Sequence, residues 1–104
     1  MPLLYEYNPD SPKDVAAALA CDLKKRRLEK GLTRNALSAI SGVPAPTIAK
    51  FEQKSTISLQ AFISIAASLG YTEKVKSILS EPLFSTMEEL KEINRNKNRK
   101  RGSK

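Results

Sequence analysis

Basic side chains are concentrated in one short stretch of this sequence. Six lysines and arginines fall within eleven residues, and Lys50 and Lys54 follow them. The six are Lys24, Lys25, Arg26, Arg27, Lys30 and Arg34. Ammonium and guanidinium groups bind phosphates through charge and hydrogen bonds, and such a cluster on a nearly neutral body is typical of nucleic-acid binding. A membrane surface is a weaker candidate, because no aromatic side chain lies near the cluster.

Other kinds of chemistry are excluded by what the sequence lacks. It contains no histidine and one cysteine, Cys21. This composition excludes an intrachain disulfide, a metal site built from histidine or cysteine, and most histidine-dependent catalysis. We therefore expect a protein that is not an enzyme and that uses no cofactor or metal ion.

The hydropathy of the chain indicates where the protein resides. No stretch approaches the roughly 18 apolar residues of a membrane span. The N-terminus has no basic region followed by a long apolar region, so a secretory signal is not expected. Together with the basic cluster, these absences predict a cytoplasmic, nucleoid-associated protein with no membrane partner.

A second concentration of positive charge lies at the C-terminus. Residues 91–104 contain seven basic residues and one acidic residue, so they carry +6 of the formal net charge of +7. No apolar side chain follows Ile93. Because such a segment cannot bury enough surface to offset the entropy of ordering it, residues 95–104 are predicted to form a disordered basic tail. Two roles stay open for the tail, an arm that follows phosphates or a solvated terminus that only increases solubility.

Helices must position these charges, because apolar residues recur at helical spacing along the body. Helices are predicted over about 12–30, 33–40, 44–53 and 58–70, and a fifth runs from residue 72 to a break at Glu81-Pro82. The predicted N-caps are Ser11, Thr33, Ser58 and Thr72. A capping box from Ser85 to Glu88 predicts a short sixth helix over about 86–94. Leu37 and Ile40 are expected to face the core.

The informative stretch runs from Leu32 to Gln53. It contains two short amphipathic helices joined by a tight turn at Gly42, and neither helix can bury its apolar face alone. Supported by the first and fourth helices, the pair has the geometry of a helix-turn-helix, whose second helix can enter the major groove of DNA.

This stretch resembles the Cro/repressor-type (Xre) helix-turn-helix family, over about residues 12–80. The resemblance is carried by GLT at 31–33, ALS at 36–38, SGV at 41–43, PTIAKFE at 46–52, ISL at 57–59 and the ending from Ala66 to Gly70. Within the family, GVPAPTIAKFE at 42–52 and FSTMEEL at 84–90 are most similar to HipB-type antitoxin and autorepressor proteins.

The resemblance implies roles for individual residues. Arg27 and Glu52 are expected to form a partly buried ion pair that orients the third helix. The family places polar residues at the start of the second helix against a phosphate, and here these are Thr33 and Arg34, with arginine where glutamine is usual. Base-facing positions of the recognition helix are Ala45, Pro46, Thr47 and Lys50. Gln53, Lys54 and Ser55 follow the recognition helix in the sequence and are expected to reach phosphates.

Ala45 and Pro46 replace polar residues that are common in the family. Neither side chain can donate a hydrogen bond to a base, although each can contact a thymine methyl group, and Lys50 can donate to guanine. We therefore expect sparse direct readout and a larger contribution from DNA shape.

The sequence predicts an all-α fold, a compact bundle of about five helices with a short C-terminal helix and the basic tail. Its expected divisions are an N-terminal arm (1–11), the DNA-binding domain (12–80), a dimer or partner segment (81–94) and the tail (95–104). The expected function is a transcriptional repressor that binds double-stranded operator DNA as a homodimer. The HipB-type resemblance implies autoregulation of a toxin–antitoxin operon, with a HipA-like serine/threonine kinase toxin and a further small antitoxin subunit as partners.

Two alternatives stay open. One keeps DNA binding but changes the role, to a phage-type immunity repressor or a restriction–modification controller. The other is a basic RNA-binding adaptor that depends on the tail, which predicts that tail deletion abolishes binding and that Lys50→Ala has no effect.

Overall fold

The computed structural model describes residues 11–97, and in this range it contains six α-helices and no strand. They are α1 (Pro12–Glu29), α2 (Arg34–Ser41), α3 (Ala45–Lys54), α4 (Leu59–Ser68), α5 (Thr72–Lys76) and α6 (Met87–Lys97). The prediction of an all-α fold is confirmed. Residues 1–10 of the expected arm and residues 98–104 of the expected tail lie outside the described range. No helix within that range is long and apolar enough to cross a membrane.

Short polar side chains begin three of the helices as predicted. The hydroxyl oxygens of Ser11, Thr33 and Ser58 each accept a hydrogen bond from the backbone N–H three residues later, at 3.2, 3.0 and 3.1 Å. These bonds satisfy N–H groups that have no partner within the helix, and each cap contributes about 1 kcal/mol. The sequence therefore fixes the helix starts locally.

Two predicted N-caps were wrong by one residue. The N-cap of α5 is Tyr71, which makes no side-chain capping bond, and Thr72 is the first helical residue. At α6 the backbone N–H of Glu89 donates to the Thr86 hydroxyl, while the Glu89 carboxylate accepts from the backbone N–H of Ser85. The capping hydroxyl is therefore that of Thr86, and the Glu89 carboxylate returns a bond to Ser85. The pairs Ser85–Glu88 and Thr86–Glu89 fit the same sequence pattern, and only the second fits the helix.

The core lies where the first four helices meet, and Ala20 and Leu23 are the α1 residues in it. Leu37, Ile48 and Ile65 are fully buried there, one from each of α2, α3 and α4. Phe51 of α3 packs edge-on against Phe62 of α4, with ring centroids 5.7 Å apart. These contacts hold α3 against the bundle, so the helix that would read DNA is fixed in place.

Ile40 does not face the core, contrary to the prediction. It is 57% exposed, while Leu37 on the same helix is fully buried. A helix of eight residues touches its neighbours along a narrow stripe, and Ile40 lies about 60° around the helix from Leu37. Val43, from the turn that follows α2, fills the adjoining core position instead.

The α6 helix is the least packed of the six described helices. It makes no extensive contact with any of the other five, and none of its residues is buried. The radius of gyration is 18.1 Å, well above the ~13 Å typical of a globular domain of this length. The helix continues to Lys97, so the first three residues of the expected disordered tail are helical.

Candidate nucleic-acid interface

The α2 and α3 helices form the helix-turn-helix, and three residues join them. Gly42 has a φ of 79°, a left-handed conformation that glycine adopts without steric cost. The α3 helix packs against α1 and α2, and α2 also packs against α4. Contacts with these two helices and the short turn from α2 thus fix the orientation of α3.

A buried ion pair ties the end of α3 to α1. Arg27 donates two hydrogen bonds to the Glu52 carboxylate, from Nε at 2.7 Å and from a terminal nitrogen at 2.9 Å. Its other terminal nitrogen donates to the Leu32 carbonyl at 2.8 Å. The two side chains are 7% and 1% exposed. The structure thus brings together the two residues that the family resemblance paired, in the two-point geometry that arginine and carboxylate groups favour.

Arg34 joins this ion pair, which the sequence analysis missed. Its Nε donates to the same Glu52 carboxylate at 3.0 Å, and its side chain is 34% exposed. Its terminal nitrogens make no hydrogen bond within residues 11–97. The local sequence gives no signal for this contact, because Arg34 and Glu52 meet only when α2 and α3 pack. Arg34 therefore has an inner contact with Glu52 and an outer edge that is free to meet a phosphate.

The Glu52 carboxylate is charged despite its burial. Burial alone would raise the pKa of Glu52, but the hydrogen bonds and charges of Arg27 and Arg34 outweigh this effect and lower the pKa below its usual value. Two cations sharing one anion leave this cluster with a net positive charge. That charge lies at the start of α2, on the side where a phosphate is expected.

The first half of α3 lies next to the start of α2. Ala45, Pro46 and Ala49 line a shallow open depression of about 640 Å³ together with Thr33 and Arg34. Asn35 and Arg27 complete its lining. Asn35 and Ala49 were not among the predicted residues, although Asn35, directly after Arg34 in the first turn of α2, could have been included on position alone.

The remaining predicted residues lie further along α3. Lys50 is exposed, and Thr47 is half-buried. Gln53 and Lys54 are exposed at the far end of the helix, about 15 Å from its start. Ser55 ends the helix in a left-handed conformation, with a φ of 60°. The structure therefore divides the predicted residues into a group beside Arg34 and a group at the opposite end of α3.

The basic cluster of the sequence supplies fewer free cations than its count indicates. Arg27 is committed to Glu52, and Arg26 pairs with Glu29 at 2.8 Å. Lys24 and Lys25 are exposed, but neighbouring positions of α1 point about 100° apart. The cluster is thus spread around the helix, and its strongest contribution to the interface is structural, through Arg27.

Comparison with known families agrees with this geometry. The helix-turn-helix family model matches residues 23–75, just over half of the chain. The match begins inside α1 and ends inside α5, so it contains both helices of the motif and all three residues of the Glu52 cluster. No curated protein and no solved structure matches the chain. On the family match, the chain belongs to the Cro/repressor-type helix-turn-helix family of DNA-binding transcriptional regulators.

Proposed function

We propose that the protein is a sequence-specific repressor that binds operator DNA and controls its own operon. The observation that carries this proposal is the fixed position of α3, whose end is held by Arg27 and Arg34 through Glu52. A rigid recognition helix loses little conformational entropy on binding, so less of the free energy of its contacts is offset. The side chains of Lys50 and Pro46 on α3 are exposed, so bases can reach them.

The proposed contacts follow from chemistry and position. Thr33 and Arg34 meet a phosphate at the start of α2, where unpaired N–H groups and the helix dipole favour an anion. Ala45, Pro46, Thr47 and Lys50 face base edges, with apolar contact to thymine and donation from Lys50 to guanine. Gln53, Lys54 and Ser55 meet phosphates at the other end of α3. Half or more of the contacts would then fix register on the backbone, as is usual in protein–DNA complexes.

A homodimer is the expected binding unit. One domain of this kind reads a few base pairs, and a two-fold dimer reads two half-sites about one helical turn apart. Residues 81–94 are proposed to supply the dimer or partner surface. Leu83 and Met87 in this segment are 94% and 65% exposed, which is a high exposure for large apolar side chains.

The biological role that we propose is the antitoxin and autorepressor of a HipBA-like operon. The support is the similarity of residues 42–52 and 84–90 to HipB-type sequences, together with the lack of extensive packing of α6 against the other described helices. The partners would be a HipA-like serine/threonine kinase toxin and a further small antitoxin subunit. The proposed location is the nucleoid.

Titration against the DNA upstream of the gene tests the DNA-binding proposal. Fluorescence anisotropy at ~150 mM salt should show specific binding at least ~10³-fold tighter than binding to random DNA. Lys50→Ala should reduce this ratio, whereas Lys13→Ala, which removes an exposed lysine about 20 Å from Arg27 along α1, should not. A chain ending at Lys97 should bind with a smaller salt dependence.

Equal affinity for upstream and random DNA, with all binding lost in the chain ending at Lys97, would contradict the repressor proposal. That result would support the RNA-binding adaptor, and RNA would be titrated next.

Co-purification with a kinase encoded beside the gene tests the antitoxin role. Purified with that kinase, the full chain should form a complex and stop its autophosphorylation. Neighbouring integrase or methyltransferase genes, with no kinase gene, would instead favour the phage-type repressor or the restriction–modification controller.

A further inference from the structure

An apolar groove lies on the body, away from the candidate DNA interface. It is formed by α1, α4 and the residues of and after α5, and it holds about 380 Å³. Its apolar lining includes Leu19, Phe62, Val75 and Ile78. Leu19 of α1 and Ile78, just after α5, are substantially exposed, although both are large apolar side chains. A protein of this size gains stability when such a surface is covered.

Polar groups around the groove lack partners. Asp22 on the α1 wall and Lys74 on the α5 wall make no ion pair in the part of the chain that the structure describes. The Nε of Arg26, also in the lining, is buried and has no hydrogen-bond acceptor there. An occupant of the groove would therefore be apolar on one face and would carry charges at its edges.

The chain itself contains a helix of that description. Met87, Leu90 and Ile93 of α6 recur every three residues, so they share one side of the helix. Helical geometry places Lys91 about 100° to one side of this stripe and Glu89 about 100° to the other. The apolar stripe thus has a basic edge and an acidic edge.

The charges select one direction for such a helix in the groove. With Lys91 beside Asp22 and Glu89 beside Lys74, both walls of the groove meet opposite charges. The reverse direction would place Lys91 beside Lys74 and Glu89 beside Asp22, and like-charge contacts of that kind are strongly unfavourable. The groove and α6 are thus complementary in their apolar surfaces and in charge.

We propose that α6 of one copy docks in the α1/α4/α5 groove of a second copy, and that the exchange is mutual. This inference deepens the proposed homodimer and rests on it. The helix makes no extensive contact with the helices that form the groove of its own chain, which leaves that groove available to a second copy. A two-fold exchange repeats the contact, and two helices of about 16 Å with their grooves bury roughly the area of a small specific interface.

Isotope-labelled cross-linking distinguishes exchange from docking within one chain. Asp22→Cys and Lys91→Cys are placed together in a chain whose native thiol is removed by Cys21→Ser. Unlabelled and ¹⁵N-labelled chains are mixed, equilibrated and oxidised. The expected product is a 22–91 disulfide that joins a heavy peptide to a light one, as read by mass spectrometry. Chains with a single introduced cysteine, at 22 or at 91, are the controls and should give no such product.

Two results would overturn the proposal. Disulfides that join peptides of one isotope only would show that α6 occupies the groove of its own chain. Absence of the 22–91 disulfide in chains that remain folded would show that α6 does not occupy the groove at all.

Light scattering after size exclusion gives an independent test on the chain without cysteine substitutions. Leu19→Asp in the groove and Leu90→Asp in α6 should each shift the protein to monomer, while Ile40→Asp, at an exposed apolar residue on α2, should not. Asp22→Lys and Lys91→Glu should each raise the dimer Kd roughly tenfold, and together they should restore it to within about threefold. Thermal melts show whether each variant is folded.

These outcomes separate this inference from the proposed function. A dimer that survives both Leu19→Asp and Leu90→Asp would keep the homodimer and reject this surface. A wild-type monomer at every concentration would reject both, while the anisotropy titration still tests DNA binding.

Discussion

The body of the protein, residues 12–76, and its C-terminal segment, residues 77–97, treat similar side chains differently. Each contains an arginine–glutamate ion pair. In the body, Arg27 and Glu52 are almost completely buried, whereas Arg95 and Glu92 of the C-terminal segment are 64% and 58% exposed. In the C-terminal segment no residue is buried at all. The same pair of side chains therefore holds helices together in the body, whereas in the C-terminal segment it lies on the surface of one helix.

The largest predicted effect comes from removing the carboxylate of the buried pair. Glu52→Ala leaves Arg27 buried without its partner, so the free energy of unfolding should fall by about 3–5 kcal/mol. The matched change in the C-terminal segment, Glu92→Ala, should lower it by no more than ~0.5 kcal/mol, because water solvates the remaining arginine. Urea unfolding followed by circular dichroism measures both.

A double variant sharpens this comparison. Arg27→Met with Glu52→Leu removes both charges and keeps an apolar contact, so most of the stability should return. Equal decreases in the free energy of unfolding for Glu52→Ala and Glu92→Ala would mean that burial does not distinguish the two ion pairs.

The pH dependence of stability should reveal the same carboxylate. The pKa of Glu52 is lower in the folded protein than in the unfolded chain, because Arg27 and Arg34 outweigh the effect of burial. Its stabilisation is therefore complete above the unfolded pKa, about 4.3, and is lost as the pH falls through the folded value. Unfolding free energies measured from pH 7 down to pH ~2.5 should fall more steeply for the wild type than for Glu52→Gln. Parallel curves for the two proteins would contradict this assignment.

Helix caps should show a smaller contrast between the regions. Ser58→Ala removes the cap of α4, which carries core residues. The free energy of global unfolding should therefore fall by about 1 kcal/mol. In a monomeric sample, Thr86→Ala removes the equivalent bond at α6 and should reduce helicity with almost no change in the unfolding midpoint of the body. Ser58→Asp, which can still accept the N–H, is the control, and thermal melts with far-ultraviolet dichroism are the measurement. A large midpoint shift for Thr86→Ala in a monomeric sample would show that α6 is coupled to the body.

Local chemistry and tertiary packing explain what the sequence could and could not predict. The caps at Ser11, Thr33 and Ser58 were predictable, because each depends on residues three positions apart. The contact of Arg34 with Glu52 and the exposure of Ile40 were not, because both depend on how α2 meets its neighbours. The candidate site shows the same division. Motif positions on α2 and α3 follow from the family resemblance, whereas their separation into two groups along α3 needs the fold.

The smallest predicted effect concerns Arg34, which stands where the family usually has glutamine. Arg34→Gln removes one bond to Glu52 but leaves both bonds from Arg27, so stability should fall by less than ~1 kcal/mol. If the outer edge of Arg34 meets a phosphate, the loss of its charge should lower affinity for specific and random DNA alike and reduce the salt slope by about one. Lys30→Gln, which changes an exposed charge on the same basic cluster, is the matched control and should leave stability unchanged. Anisotropy titrations over a salt series measure the slope, and an unchanged slope with reduced stability would assign Arg34 to the Glu52 cluster alone.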